Sequence, residues 1–129
     1  MVAASICLVG CYAAPNEALV EITCDDFAEH NSILKNRLVA VQGLLVVGLC
    51  HNPTTGYEWD WSMSESGIVD ETDHHYESTD DEAYGEGGID VWTFKAVKRG
   101  NTTITMEQVR MGLPGEKGPW KLNISVSVR

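Results

Sequence analysis

Basic residues are scarce in this sequence. Nine Lys and Arg stand against nineteen Asp and Glu, for a formal net charge of −10. From Leu38 to Phe94 there is no Lys or Arg, while twelve acids fall in the same span. Affinity for nucleic acid rests on neutralising phosphates with Lys and Arg, so this balance argues against a nucleic-acid partner. The acidic middle section reads as a solvated face that can also steer a basic partner. Beyond the first fourteen residues, no segment approaches the ~20 apolar residues of a spanning helix. Helical periodicity is weak everywhere, and its best candidate, around Asp26 to Lys35, is short and polar. No cysteine or histidine spacing resembles a zinc site, and Asp80-Asp81-Glu82 lacks the ligand spacing and turn glycine of an EF-hand loop. His74 and His75 are adjacent on an expected strand and point to opposite faces, which keeps them from sharing one ion. Cys50-His51 has no identifiable third group to orient it as a nucleophile and base, and no Ser sits in a nucleophile elbow. The chain is therefore read as a non-enzyme without metal or cofactor.

What the sequence does hold is enough apolar material, 43% of 129 residues, for a single domain with one core. The first fourteen residues stand apart. Val2 to Ala14 is apolar and uncharged, and Leu8-Val9-Gly10-Cys11 matches the pattern at bacterial lipoprotein signal cleavage sites, where the Cys is lipidated. No basic residue precedes the run, so it is read as part of a longer export signal. Residues 1–14 are assigned to signal and tether and residues 15–129 to the folded domain. The protein is expected to be exported, extracytoplasmic and monomeric, with membrane attachment only through a lipid at Cys11. Without the leader two cysteines remain, Cys24 and Cys50. They pair in an oxidising compartment or stay as buried thiols, and the sequence leaves both open.

The dominant pattern has a period of two. Trp120, Leu122, Ile124, Val126 and Val128 alternate with Lys121, Asn123, Ser125 and Ser127. The same alternation runs through Val20, Ile22 and Cys24, through Tyr57, Trp59 and Trp61, through Trp92, Phe94 and Ala96, and through Ile104 and Met106. Turn residues separate these runs at Gly43, Pro53 to Gly56, Gly85 to Gly88, Arg99 to Asn101 and Gly112 to Pro119. Short half-buried strands at this spacing predict an all-β, immunoglobulin-like antiparallel β-sandwich of about seven or eight strands. If one strand covers Ile68 to Tyr76, the loops at 52–56, 82–88 and 110–119 come to the same end of the sandwich, where binding loops cluster on such scaffolds.

The first of those loops is Asn52-Pro53-Thr54-Thr55-Gly56-Tyr57. Pro53 fixes its own φ near −65°, Thr54 and Thr55 are restricted at χ1, and Gly56 can take a positive φ. A loop with so little freedom loses little entropy on docking. This stretch resembles the N-P-T-T-G-[YF] loop of the chagasin-like family of cysteine protease inhibitors. Gly85-Glu86-Gly87-Gly88, followed by Val91 to Ala96, is similar to that family's second, glycine-rich loop and its next strand. The strand Ile104 to Val109, leading into Arg110, is similar to the approach to its third loop.

The resemblance implies an immunoglobulin-like fold that inhibits papain-like cysteine proteases reversibly. Asn52 to Tyr57 would enter the cleft, with Thr54, Thr55 and Gly56 at the catalytic Cys–His pair. Gly85, Glu86, Gly87 and Gly88 would bring backbone against the protease surface, and Arg110, Met111 and Gly112 would form the third contact. The family's third loop carries Arg-Pro-Trp, and Met111-Gly112 departs from it. Inhibition is therefore expected to be weaker or narrower, and restoring Pro and Trp at 111 and 112 is expected to tighten it. The alternative is a non-inhibitory surface module of the same fold that binds a protein or glycan through the same end.

Overall fold

The computed structural model describes residues 13–52, 55–78, 87–113 and 116–129. Residues 1–12, Cys11 among them, lie outside these, as do Pro53, Thr54, Gly85 and Glu86. The described elements run β1 (Glu17–Ile22), α1 (Cys24–Glu29), β2 (Ser32–Val39), β3 (Leu44–His51), β4 (Tyr57–Met63), β5 (Val69–Ser78), β6 (Gly88–Ala96), β7 (Gly100–Arg110) and β8 (Lys117–Val128). They form two four-stranded sheets, sheet A in the order β1-β3-β6-β5 and sheet B in the order β2-β8-β7-β4. This is the expected all-β sandwich. Its central pairings are antiparallel, but β1 pairs parallel with β3 and β2 parallel with β8. Both exceptions are edge strands, and the chain crosses between sheets through α1 rather than through a hairpin, so it is free to arrive in parallel register.

The alternation seen in the sequence is the core. Leu45, Val47 and Leu49 of β3, Trp92, Phe94 and Ala96 of β6, Ile104 and Met106 of β7, and Leu122, Ile124, Val126 and Val128 of β8 are all buried. Each side chain of this size contributes about 1.5–3 kcal/mol when fully removed from water. Trp120 packs against this cluster from its rim, as the first inward residue of β8.

Residues 24 to 39 are organised differently from the sequence expectation. The helix ends at Glu29 and Ser32 opens a strand. Thr23 starts the helix with a capping box: its N–H donates to Asp26 Oδ2 (2.9 Å), and the Asp26 N–H donates to Thr23 Oγ1 (3.0 Å). The hydrogen bonds from Thr23 hold the Asp26 carboxyl below its usual range. Phe27 is the helix's one buried side chain, and a single anchor cannot hold a longer helix to the sheet. Leu34 and Leu38, which suit one helical face, instead point outward from β2 and are 69% and 38% exposed. The alternation of β2 is hidden because two of its inner-phase positions are Lys35 and Arg37. Arg37 Nε donates to the Leu19 carbonyl (2.9 Å), tying the two sheet edges together. Cys24, expected on the inner face of β1, begins the helix instead.

That shift brings Cys24 to Cys50, with Cα atoms 5.2 Å apart and a disulfide between them. The bridge closes 26 residues of chain, and constraining a loop of that length in the unfolded state is worth about 3.5 kcal/mol. Replacing both cysteines by Ala is therefore expected to lower unfolding stability by about 3 kcal/mol, read as a fall in the urea midpoint at unchanged slope. An unchanged midpoint would contradict this account of the bridge.

Candidate functional site

Three connections leave and rejoin the strands at one end of the sandwich: loop A (52–56) between β3 and β4, loop B (79–87) between β5 and β6, and loop C (111–116) between β7 and β8. The described ends of loops B and C both touch loop A. The N–H of Met111 in loop C donates to the Gly56 carbonyl (2.9 Å). On the other side, a Cβ at Gly87 would stand 2.5 Å from the His51 carbonyl oxygen and 2.8 Å from the Asn52 Cα, so the exit of loop B rests directly on the base of loop A.

Loop A is held from inside and from below. The Thr55 N–H and hydroxyl both donate to the Asn52 carbonyl (3.1 and 2.9 Å), and the Thr55 hydroxyl oxygen accepts from the Tyr57 N–H (3.4 Å). Below it, the indole N–H of buried Trp59 donates to the Cys50 carbonyl (3.0 Å), and His51 Nε2 lies 3.1 Å from the Tyr57 carbonyl. Both contacts join the incoming and outgoing stems. Phe27 supports them as the middle ring of an aromatic pile, stacked on Trp120 (4.9 Å) and tilted against Trp59 (5.3 Å). A groove of about 630 Å³ runs beside the tip, between α1 and the ends of β3 and β6.

The structure sorts the expected site residues. Asn52, Thr55, Gly56, Tyr57, Gly87, Gly88, Arg110, Met111 and Gly112 sit at this one end, and Pro53, Thr54, Gly85 and Glu86 lie outside the described residues. Gly56 (φ +83°) and Gly112 (φ +78°) have open space around them, so their backbone conformation alone calls for glycine. Gly87 and Gly88 are different. They were expected to let backbone approach a partner, but the space beside each is filled by the protein itself. Gly87 meets loop A, and a side chain at buried Gly88 would run into the Glu77 carbonyl and the Tyr76 hydroxyl. Their smallness serves internal packing. The Thr55 hydroxyl hydrogen is likewise committed within the loop.

Loop C also departs from expectation. Arg110 pairs with Glu116 (2.8 Å) and lies 5.3 Å from the Tyr57 ring centroid, bracing loop C against loop A. Restoring Pro at 111 would delete the N–H that Gly56 accepts, and Trp at 112 would be strained at positive φ. Pro and Trp at these positions therefore do not fit the loop as it is built here. Instead loop C presents Met111 and Leu113, 55% and 51% exposed. Leu113 was missed in the sequence because it lies one step past the Arg-Met-Gly that occupies the motif position.

His74 and His75 do face opposite sides of β5. His74 stacks flat on Trp92 (4.4 Å), whereas exposed His75 sits between Glu77 and Asp73, which hold its pKa above the usual histidine value. Among the described residues, no group of three His, Cys, Asp or Glu is arranged to hold a metal ion, and no helix is long and apolar enough to cross a membrane.

Fold and site together define an immunoglobulin-like sandwich with a braced loop A at one end, touched by the described ends of two further connections. Similar solved structures share that architecture. They include the cysteine protease inhibitor EhICP2 from Entamoeba histolytica, at a TM-score of 0.65 and 22% identity over 89% of this chain and 99% of that one. PbICP-C, solved in complex with falcipain-2, gives 0.61 and 16% over 87% and 99%, and Amebosin gives 0.53 and 21% over 87% and 98%. At these identities the likeness concerns the fold. No curated protein matches the sequence. Residues 39–126 match the family described as chagasin family peptidase inhibitor I42, and the chain belongs to that family of cysteine protease inhibitors.

Because Gly87 is fixed by contact with loop A, Gly87→Ala is expected to destabilise the fold by about 1–3 kcal/mol, read by thermal unfolding without any protease present. Wild-type stability in this variant would show that the glycine serves a partner instead.

Proposed function

We propose that this protein inhibits papain-like cysteine proteases reversibly, with loop A entering the active-site cleft and loops B and C lying on its walls. The observation that carries this reading is the tie between Gly56 and Met111 together with the contact of Gly87 on Asn52, which brings the described ends of the other two loops against loop A. A loop braced by its own Thr55 and by both stems has little freedom left to lose on docking. The same bracing hinders it from relaxing into a cleavable pose. That PbICP-C, of similar fold, was solved with falcipain-2 supports a papain-like target. Export fits the same reading, since the Cys24–Cys50 disulfide persists in oxidising compartments. The protein acts as a monomer with no catalytic residues of its own.

Titration against papain tests the reading. Stoichiometric inhibition, with the chain recovered uncut after dilution, is expected. No inhibition at micromolar concentration would favour a non-inhibitory binding module. Thr55→Arg adds bulk at the tip and removes the hydroxyl that braces it, and Gly56→Val puts a β-branched side chain at a φ of +83°. Each is expected to weaken inhibition by about thirtyfold or more, the loss of about 2 kcal/mol typical of a central anchor, while the fold stays intact by circular dichroism. Unchanged inhibition constants in both would remove loop A from the interface. In loop C, grafting Met111→Pro with Gly112→Trp is expected to weaken inhibition because it breaks the bond to Gly56, and a gain would show that loop C docks by another route.

A further inference from the structure

The inner face of sheet A is apolar through most of its length and turns polar just below the tip. Continuing β3 inward past Leu45, Val47 and Leu49 gives His51, and continuing β6 outward from Trp92 gives Asp90. The β5 bulge between Glu71 and Asp73 brings His74 and Tyr76 to the same side. Asp90 is only 5% exposed. A carboxylate so buried needs a compensating partner, and here it has two imidazoles. His51 Nδ1 lies against Asp90 Oδ2, and His74 Nε2 is 3.1 Å from Asp90 Oδ1. Tyr76 meets the His51 ring edge-on at 5.8 Å.

His51 is the member of this cluster that reaches the tip. Its Nε2 faces the Tyr57 carbonyl on the far stem of loop A. Its Nδ1 is buried with no hydrogen-bond partner, and the group beside it is the Asp90 carboxylate. Carbonyl and ionised carboxylate oxygens only accept, so the ring meets both of them favourably only when both nitrogens carry hydrogen. A neutral ring has one N–H and must give up either Tyr57 or Asp90. Asp90 stands two residues beyond Gly88, where loop B rejoins the sheet, so the doubly protonated ring joins the bases of loops A and B.

We propose that His51 is a positioning residue for the inhibitory tip: as an imidazolium it ties the Tyr57 carbonyl to Asp90, and loss of its proton loosens loop A from loop B. The proposal rests on the inhibitory reading above and adds to it a dependence on pH. Titratable and charged groups face His51 from three strands and the helix. They are Asp90 from β6, His74 (which shares that carboxylate) and Tyr76 from β5, and Glu21 of β1 and Asp25, which line the groove that His51 also lines. The disulfide beside it does not titrate. Because the bridging ring needs both N–H groups, inhibition is tightest at the acidic end and weakens as pH rises.

The test is the inhibition constant against papain from pH 5 to 8 for the wild type, His51→Gln and His75→Gln, each variant taken as a ratio to wild type so that papain's own titration cancels. His51→Gln is expected to be weaker by about tenfold at pH 5, with the ratio falling towards one at pH 8. His75→Gln, on the outer face of β5, is expected to hold a ratio of one throughout. A pH-independent ratio for His51→Gln, or the same slope in His75→Gln, would overturn the proposal. An NMR titration of the free wild-type protein gives a second reading that needs neither a variant nor a protease. The Thr55 and Gly56 amide shifts are expected to move with the midpoint of the His51 ring, and independent midpoints would overturn the proposal. If the wild type fails to inhibit papain at every pH, the functional reading falls, while the NMR titration still decides the role of His51.

Discussion

The arrangement depends on keeping the two stems of loop A at a fixed separation. The indole N–H of Trp59 spans them by donating to the Cys50 carbonyl. Cys50 is in turn fixed to α1 through Cys24, and Trp59 is backed by Phe27 from that helix. A buried donor left without its acceptor costs about 1–3 kcal/mol, so this bond is strongly specified once the indole is inside. The polar requirement of one large side chain thereby becomes a geometric requirement on the loop above it. Loops B and C take their places from the same stems, one against Asn52 and the other against Gly56.

β5, the far edge of sheet A, is exposed from Asp70 to Ser78, with Asp73, His75 and Glu77 on its outer face. Charged side chains and a bulge blunt an edge that could otherwise pair with another chain. Among the described residues of the loop end, the Thr55 hydroxyl and the Arg110 guanidinium are engaged within the protein, while Gly56, Met111, Gly112 and Leu113 present backbone and apolar surface.

The sandwich was legible because strand alternation reports burial directly: Trp92 and Phe94, or Leu122 and Ile124, differ in kind from the residues between them. β2 was illegible for the converse reason. Its inner-phase positions include Lys35 and Arg37, and its leucines face out. The helix was misplaced because its evidence is one capping box and one Phe, too little to outweigh the polar stretch that follows. At the site, the sequence marked the right loops but not the reasons for their residues. A glycine needed for positive φ, such as Gly56, reads the same as one needed for close packing, such as Gly87. Distinguishing them takes the register that sets β6 against β3. The same register joins His51 to Asp90 across 39 positions of sequence, a pairing no local pattern announces.

The central claim is that one end of the sandwich is the binding surface, and backbone amide mapping addresses it directly. Papain with its catalytic thiol capped as a methyl thioether would be added to the isotopically labelled protein, and the amide shifts followed by NMR. The account predicts that perturbations concentrate at Asn52 to Tyr57, Gly87 and Arg110 to Leu113, and leave the turns at Ser64 to Gly67 and Gly100 to Asn101 unmoved. Perturbations centred on those far turns, or on the outer face of β5, would contradict it.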